Sequence, residues 1–361
     1  MLRVYGSRIS YFTGKLESYL RYRGLPYELL PTYAHAREVM AGTGSTQMPA
    51  IRLEDGRWAS DTTPLLAWLD ARDGAPSIYP DDPALRFVAL LVEDYADEWL
   101  WRPAMHYRWS HRLDRDHASG LLADEQMTRI RVPRALKRLA VVRRQRGGFV
   151  KGDGVSARTR KHVEAGYITA LNRLEAIFHR RTFLLGDAPS IADFGMIGPM
   201  LRHFAQDPTP ADIMRSRAPR VYEWVARMWN TRAVDRATEW IAAIDASLAE
   251  LMREVCETHL VQLRENAIAA AAGKRRFGEV VQGVRYENLP VGRYRVWCLE
   301  ALRREWASLG DTARDGLRPF LVGPGASVLW DTTTPLGSGY DPDRQAPFNR
   351  ALNVFDKDVR S

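Results

Sequence analysis

Ser10 follows a short apolar run, residues 2–7, and stands at the entrance to a helix-like segment, residues 13–24. The first N–H groups of a helix have no partner inside it and carry partial positive charge. A hydroxyl at such a place is suited to holding a thiolate. An unperturbed thiol has a pKa near ~8.5, so about 3% of it is ionised at pH 7. Lowering that pKa by about two units stabilises the thiolate by ~2.7 kcal/mol and raises the fraction to roughly three quarters. A hydroxyl donor together with a helix start can supply such a shift. The plain structural alternative is that Ser10 only caps the helix.

Two further segments carry polar groups at bends. One is Gln47-Met48-Pro49-Ala50-Ile51, and the other is Ser60-Asp61-Thr62-Thr63-Pro64-Leu65. Asp61 and Thr62 precede an apolar helix-like run, residues 63–70. The hydroxyl and N–H groups of a helix start suit a carboxylate ligand, and Asp61 can equally be a plain N-cap. Tyr5 and Tyr11 rival Ser10 as hydroxyl donors. Tyr5 also reads as a buried aromatic of the first strand, and Tyr11 as a wall of an acceptor pocket.

The elements that must position these residues follow a β-α-β-α-β-β-α order within about eighty residues. Strands are expected at 2–7, 27–30, 50–53 and 57–59, the last two as a hairpin around Glu54-Asp55-Gly56, because Asp-Gly is a strong turn signal. Helices are expected at 13–24, 34–40 and 63–70. A Pro- and Asp-rich linker, residues 75–83, breaks the pattern. Long helices follow at 84–112, with a kink at Pro103, and at 157–179, 190–204 and 219–229. Ser190-Ile-Ala-Asp193 has capping-box spacing, and its loss would cost about 1 kcal/mol. Beyond it come a helix over 234–272, an extended segment at 278–286, a helix over 294–309 and an irregular tail from Pro324.

Ser10, the Gln47–Ile51 segment and the Ser60–Leu65 segment, in that order, resemble the glutathione-binding half of the glutathione transferase family. The stretch from Phe183 to Phe194, with its Ser190/Asp193 box, is similar to that family's helical half. The resemblance covers residues 1 to 232. It implies an α/β thioredoxin-like N-terminal domain, residues 1–74, and an all-α C-terminal domain, residues 84–232. A mostly helical extension without a family counterpart fills 233–361. The implied activity is transfer of the glutathione sulfur to a hydrophobic electrophilic small molecule by a cytoplasmic homodimer active in detoxification. Glutathione is then the co-substrate. Ser10 would be the catalytic thiolate donor of a serine-type site, with Tyr5 the tyrosine-type alternative. Gln47, Met48, Pro49, Asp61 and Thr62 would hold the tripeptide. The resemblance also implies a cis Met48–Pro49 bond. By the family's layout, Trp99, Arg102, His106 and Tyr107 line the acceptor cleft, although an aromatic helical face is equally a core. A scaffold that keeps the fold and lacks turnover is the alternative function.

Bulk properties narrow the remaining classes. A chain of 361 residues suits two or three domains. Its two cysteines, Cys256 and Cys298, form no metal-binding or redox pair and read as core residues of a protein from a reducing compartment. The start carries no signal-peptide pattern, and no run approaches the ~20 apolar residues of a membrane span. A net charge of +8 permits anionic partners. The densest basic run, residues 131–146, has apolar residues at helical spacing and reads as a helix with a solvated cationic face. No nucleic-acid-binding or metal motif accompanies it, so neither nucleic acid, membrane nor metal is expected.

Overall fold

The computed structural model describes residues 1–72, 76–234 and 238–352. The first expected domain boundary, at residue 74, lies outside the described residues, as do positions 235–237 of an expected helix and the last residues of the tail.

The N-terminal part runs β1 (Leu2–Gly6), α1 (Tyr11–Tyr22), β2 (Tyr27–Pro31), α2 (Ala36–Thr43), β3 (Ala50–Arg52), β4 (Trp58–Ser60) and α3 (Thr62–Asp70). The sheet order is β2-β1-β3-β4. β1 and β2 are parallel, which requires the α1 crossover between them. β3 is antiparallel to both β1 and β4, with Tyr5 opposite Ala50 and Ala50 opposite Ser60. Side chains alternate faces along each strand. Val4, Ile51 and Ala59 share a core with Leu16 and Leu20 of α1 and Leu65 and Leu66 of α3. Tyr5 and Ala50 pack with Val39 of α2 in a separate cluster. This is the thioredoxin-like arrangement that the element order implies.

The helical part comprises α4 (Pro83–Asp94), α5 (Trp101–Ser110), α6 (Arg112–Gln126), α7 (Arg134–Gln145), α8 (Arg160–Phe178), α9 (Ile191–Pro199), α10 (Pro208–Arg217) and α11 (Pro219–Asn230). The helix expected over 84–112 is interrupted by a π-helical turn at Tyr95–Trp99, ahead of Pro103. Pro103 sits in the first turn of α5, where its missing N–H is tolerated. Every residue of α9 is buried, and the helix packs against α1 and α4. A Cβ on Gly195 would lie 2.8 Å from Glu93 Cα, so glycine sets that close approach. Asp193 accepts from the N–H and hydroxyl of Ser190, from Leu184 N–H and from the Trp224 indole. The basic run is a helix as expected, but α7 buries none of its side chains fully. Leu136 and Leu139 are 56% and 65% exposed, while Val141 and Val142 are half-buried against the cluster around Trp109.

The extension forms α12 (Ala246–Glu257), α13 (His259–Ala271), the hairpin β5 (Arg276–Val281) and β6 (Val284–Pro290), α14 (Arg293–Ser308) and α15 (Asp311–Leu317). The single helix expected over 234–272 is two helices. They break at Thr258, which is at φ −122° and ψ −76°. Before them, Trp240 bridges to Gly186 and Ile241 N–H donates to Leu185, and this pairing replaces helix. The hairpin turns at Gln282-Gly283, both at positive φ, which suits the twist of a two-residue loop. Three contacts fasten the extension to the body: the buried pairs Arg102 with Glu279 and His259 with Asp94, and the half-buried pair Arg295 with Glu98. One apolar core runs from Val4 to Leu329. Cys256 and Cys298 are buried free thiols, and burial, helped by Glu257, pushes Cys256 up to about 12. Among the described residues no helix is long and apolar enough to cross a membrane.

Candidate functional site

The sheet register brings the three sequence segments to one edge. β1 ends at Gly6 and delivers Ser10 through a tight loop. β3 begins at Ala50, directly after Pro49, beside Tyr5. β4 ends at Ser60, directly before Asp61, beside Ala50. Ser10, Gln47–Pro49 and Asp61–Thr62 therefore leave the sheet at the same end. The Met48–Pro49 bond is cis.

Ser10 is the half-buried N-cap of α1, and its hydroxyl accepts from Thr13 N–H at 3.4 Å. The helix thus begins two residues earlier than the sequence pattern predicts. The loop before it is braced from several sides. Glu125 of α6 accepts from the Ser7 hydroxyl and from Arg8 N–H. Gln126 donates to the Gly6 carbonyl at 2.8 Å, and Arg108 donates to the Ile9 carbonyl at 2.6 Å. Arg108 is itself held by buried Asp207 at 2.7 Å.

Tyr5 is fully buried and its hydroxyl donates to Glu38 at 3.0 Å, on the α2 face of the sheet. Burial, reinforced by Glu38, raises its pKa. Tyr11 is buried as well and donates to the Ala96 carbonyl. Ser10 is the one of the three that remains partly open.

Gln47 is half-buried. Its N–H donates to Ser45 Oγ at 3.1 Å, and its side-chain oxygen accepts from the same hydroxyl at 3.1 Å. Asp61 sits at φ 71° and ψ 111°, a sparsely populated conformation for a residue with a Cβ. Such strain concentrates at functional sites. Its carboxylate accepts from Thr63 N–H at 3.3 Å and so caps α3. Thr62 opens that helix and is buried.

The extension reaches this point. Tyr294 donates to Asp61 Oδ1 at 3.0 Å and Tyr340 donates to Oδ2 at 2.5 Å. Burial raises Asp61 to about 6, against the pull of the two tyrosines and Lys15. Farther along the tail, the Pro347 carbonyl accepts from Ser60 N–H at 3.1 Å, and Phe348 packs edge-on against Trp68 of α3. No spacing or motif in the sequence points to these contacts.

Beneath α3, Lys15 is completely buried and donates to Thr63 Oγ1 at 3.1 Å and to the Glu93 and Asp97 carboxylates. Burial alone would lower its pKa, but Asp97 and Glu93 outweigh that and raise it. The single cation offsets one of the two negative charges, and burial still holds Asp97 well above the usual carboxylate range.

The four residues placed at an acceptor cleft are mostly core. Trp99 and Tyr107 are buried. Arg102 pairs with Glu279 at 2.9 Å and lies over Tyr286 of the extension. His106 Nε2 meets Glu164 at 2.9 Å.

Family models identify both halves. The N-terminal domain of glutathione S-transferase matches residues 9–72, and its C-terminal domain matches residues 157–227. Residues 9–72 and 157–227 are the two domains of the glutathione S-transferase family. The chain carries an extra C-terminal region beyond residue 230. Similar solved structures include a glutathione S-transferase from Rhodospirillum rubrum F11, 19% identical with a TM-score of 0.44, covering 63% of this chain and 87% of that one. FzlA from C. crescentus is 14% identical with a TM-score of 0.42, over 63% and 87%. A glutathione S-transferase from Methylobacterium radiotolerans JCM 2831, in complex with glutathione sulfonate, is 17% identical with a TM-score of 0.39, over 67% and 99%. No curated protein matches the chain.

Proposed function

We propose that this chain binds glutathione across the shared end of β1, β3 and β4 and transfers its sulfur to a small hydrophobic electrophile. The observation that carries this reading is the convergence of Ser10, Gln47–Pro49 and Asp61–Thr62 at one sheet edge. In this reading the Ser10 hydroxyl and the start of α1 stabilise the thiolate. Pro49 presents the backbone of Met48 to the tripeptide, and Gln47 reaches its peptide or carboxylate groups. Thr62 and the start of α3 hold the γ-glutamyl carboxylate. Asp61 takes the γ-glutamyl ammonium. A carboxylate offers about four acceptor positions, and Thr63, Tyr294 and Tyr340 use three. The thiolate then forms a C–S bond to the electrophilic carbon, whose leaving group departs with its electron pair. The homodimeric, cytoplasmic, detoxifying setting rests on the two family-matched domains alone.

A second reading is a transferase-fold scaffold without turnover. It is favoured by Tyr294 and Tyr340, which already engage both oxygens of Asp61. Retention on immobilised glutathione, elution by free glutathione and turnover of a model aryl halide support the enzyme. Absence of retention by the folded full-length chain supports the scaffold.

A further inference from the structure

We propose that His106, His111 and Glu164 form a binding site for a zinc ion, independent of the glutathione site. The three residues come from different places in the chain. His106 lies on α5, His111 at the junction of α5 and α6, and Glu164 on α8. One ligand atom from each lies within 4.8 Å of the others. His106 Nε2 is 2.9 Å and His111 Nε2 3.9 Å from the same oxygen, Glu164 Oε1. A tetrahedral zinc with bonds near ~2.1 Å separates its ligand atoms by roughly 3.3 Å. Closing the cluster onto the ion therefore needs side-chain shifts of about 1.5 Å or less.

Two further observations point to a ligand. His111 Nε2 is a buried nitrogen with no hydrogen-bond partner. Leaving such an atom unsatisfied is costly, and a metal would use its lone pair. Secondly, His106 Nδ1 lies 2.9 Å from Ser110 Oγ, one turn further along α5. Without an ion, Nε2–H donates to Glu164 and the hydroxyl donates to Nδ1; with zinc on Nε2 the proton would sit on Nδ1 and the hydroxyl would accept it. An outer hydrogen bond of this kind orients metal-binding imidazoles. Tyr107 stacks on the His111 ring at 5.3 Å and fixes its plane.

Two imidazoles and one carboxylate suit zinc better than magnesium or calcium, which prefer all-oxygen shells. Three protein ligands leave a fourth position for water. Glu164 and His111 are 37% and 35% exposed, so solvent and ion reach that position. Arg160, one turn before Glu164, disfavours a cation at His106. It weakens the site without removing a ligand. Bound zinc would tie the α5–α6 turn to α8.

The test uses the full chain, freed of metal with a chelator. Zinc is titrated in competition with a chromophoric chelator, and cobalt is titrated alone. The expected result is one equivalent of zinc and intense visible cobalt bands of tetrahedral type. Glu164→Gln and His111→Asn should each weaken zinc binding at least tenfold, and Ser110→Ala should weaken it less. Circular dichroism checks each fold. Glu164 and His111 are partly exposed, so their variants carry the test even if a variant of buried His106 fails to fold. No equimolar binding, cobalt bands of octahedral intensity, or unchanged affinity in folded Glu164→Gln and His111→Asn would overturn the proposal. Because its readout needs no glutathione, it stands or falls apart from transferase activity.

Discussion

Tyr340 donates its hydroxyl to Asp61 Oδ2 across 279 residues of chain. Asp61 caps α3 in the N-terminal domain, while Tyr340 belongs to the extension. With Tyr294 on the other oxygen, the extension is bonded to the end of the sheet from which Ser10 and Pro49 also leave. Burial, reinforced by Asp61, raises the Tyr340 pKa, so that hydroxyl stays a donor at physiological pH.

The raised pKa of Asp61 gives a pH signature. Its folded value, about 6, lies above the ordinary 3.8. Between those values the folded state binds more protons than the unfolded one, so stability from this group is full below about pH 4 and lost as pH rises through 6. Asp61→Asn removes the titration. Its stability relative to the unmutated protein should rise between pH 4 and 7 by about 3 kcal/mol, two pKa units' worth. Urea melts of both proteins at the two pH values measure this. A pH-independent difference would mean that Asp61 titrates normally.

Thr62 tests the helix start as a carboxylate site. Thr62→Ala should weaken glutathione binding by about 1–3 kcal/mol, the worth of a hydrogen bond to a charged group. Isothermal calorimetry reads it directly. Unchanged affinity would leave Thr62 as a buried residue of α3 and nothing more.

The Lys15 cluster makes a stability prediction. Lys15→Met leaves Glu93 and Asp97 buried without their cation, which should cost on the order of 3–5 kcal/mol at pH 7. Burial already holds Asp97 well above the usual carboxylate range despite Lys15, and without the cation both carboxylates would resist ionisation further. Stability missing at pH 7 should therefore return as pH falls and they protonate. Denaturant midpoints at pH 7 and 4.5 check this. An equal loss at both would point to lost packing instead of unpaired charge.

The local part of this architecture was legible because its signals are short-range. Alternation, an Asp-Gly turn and a serine at a helix entrance place β1, α1 and the β3–β4 hairpin within a few residues. The bonds that close the site were not. Glu125 and Gln126 reach the Ser10 loop from the end of α6, and Tyr294 and Tyr340 reach Asp61 from the extension. Nothing near any of these residues in sequence marks its partner. The same limit explains α7, whose helical spacing was right and whose leucines nonetheless face water, because only tertiary packing decides whether an apolar stripe is covered.

Ser10 decides between capping and catalysis. As a cap it makes one long hydrogen bond, to Thr13 N–H at 3.4 Å, so Ser10→Ala should cost about 1 kcal/mol of stability or less. As a thiolate donor it does more. Ser10→Ala should then raise the pKa of bound glutathione toward its solution value. The rate with a model electrophile should fall most near neutral pH and least in mild alkali, where solution ionisation supplies thiolate. Tyr5→Phe should leave that profile intact, because the Tyr5 hydroxyl is buried and given to Glu38 on the α2 face of the sheet. Thiolate absorbance of bound glutathione against pH, measured for the three proteins, separates the cases. A shift in Tyr5→Phe without one in Ser10→Ala would move the donor to the first strand. A small stability loss in Ser10→Ala with an unmoved thiolate pKa would leave Ser10 as a cap alone.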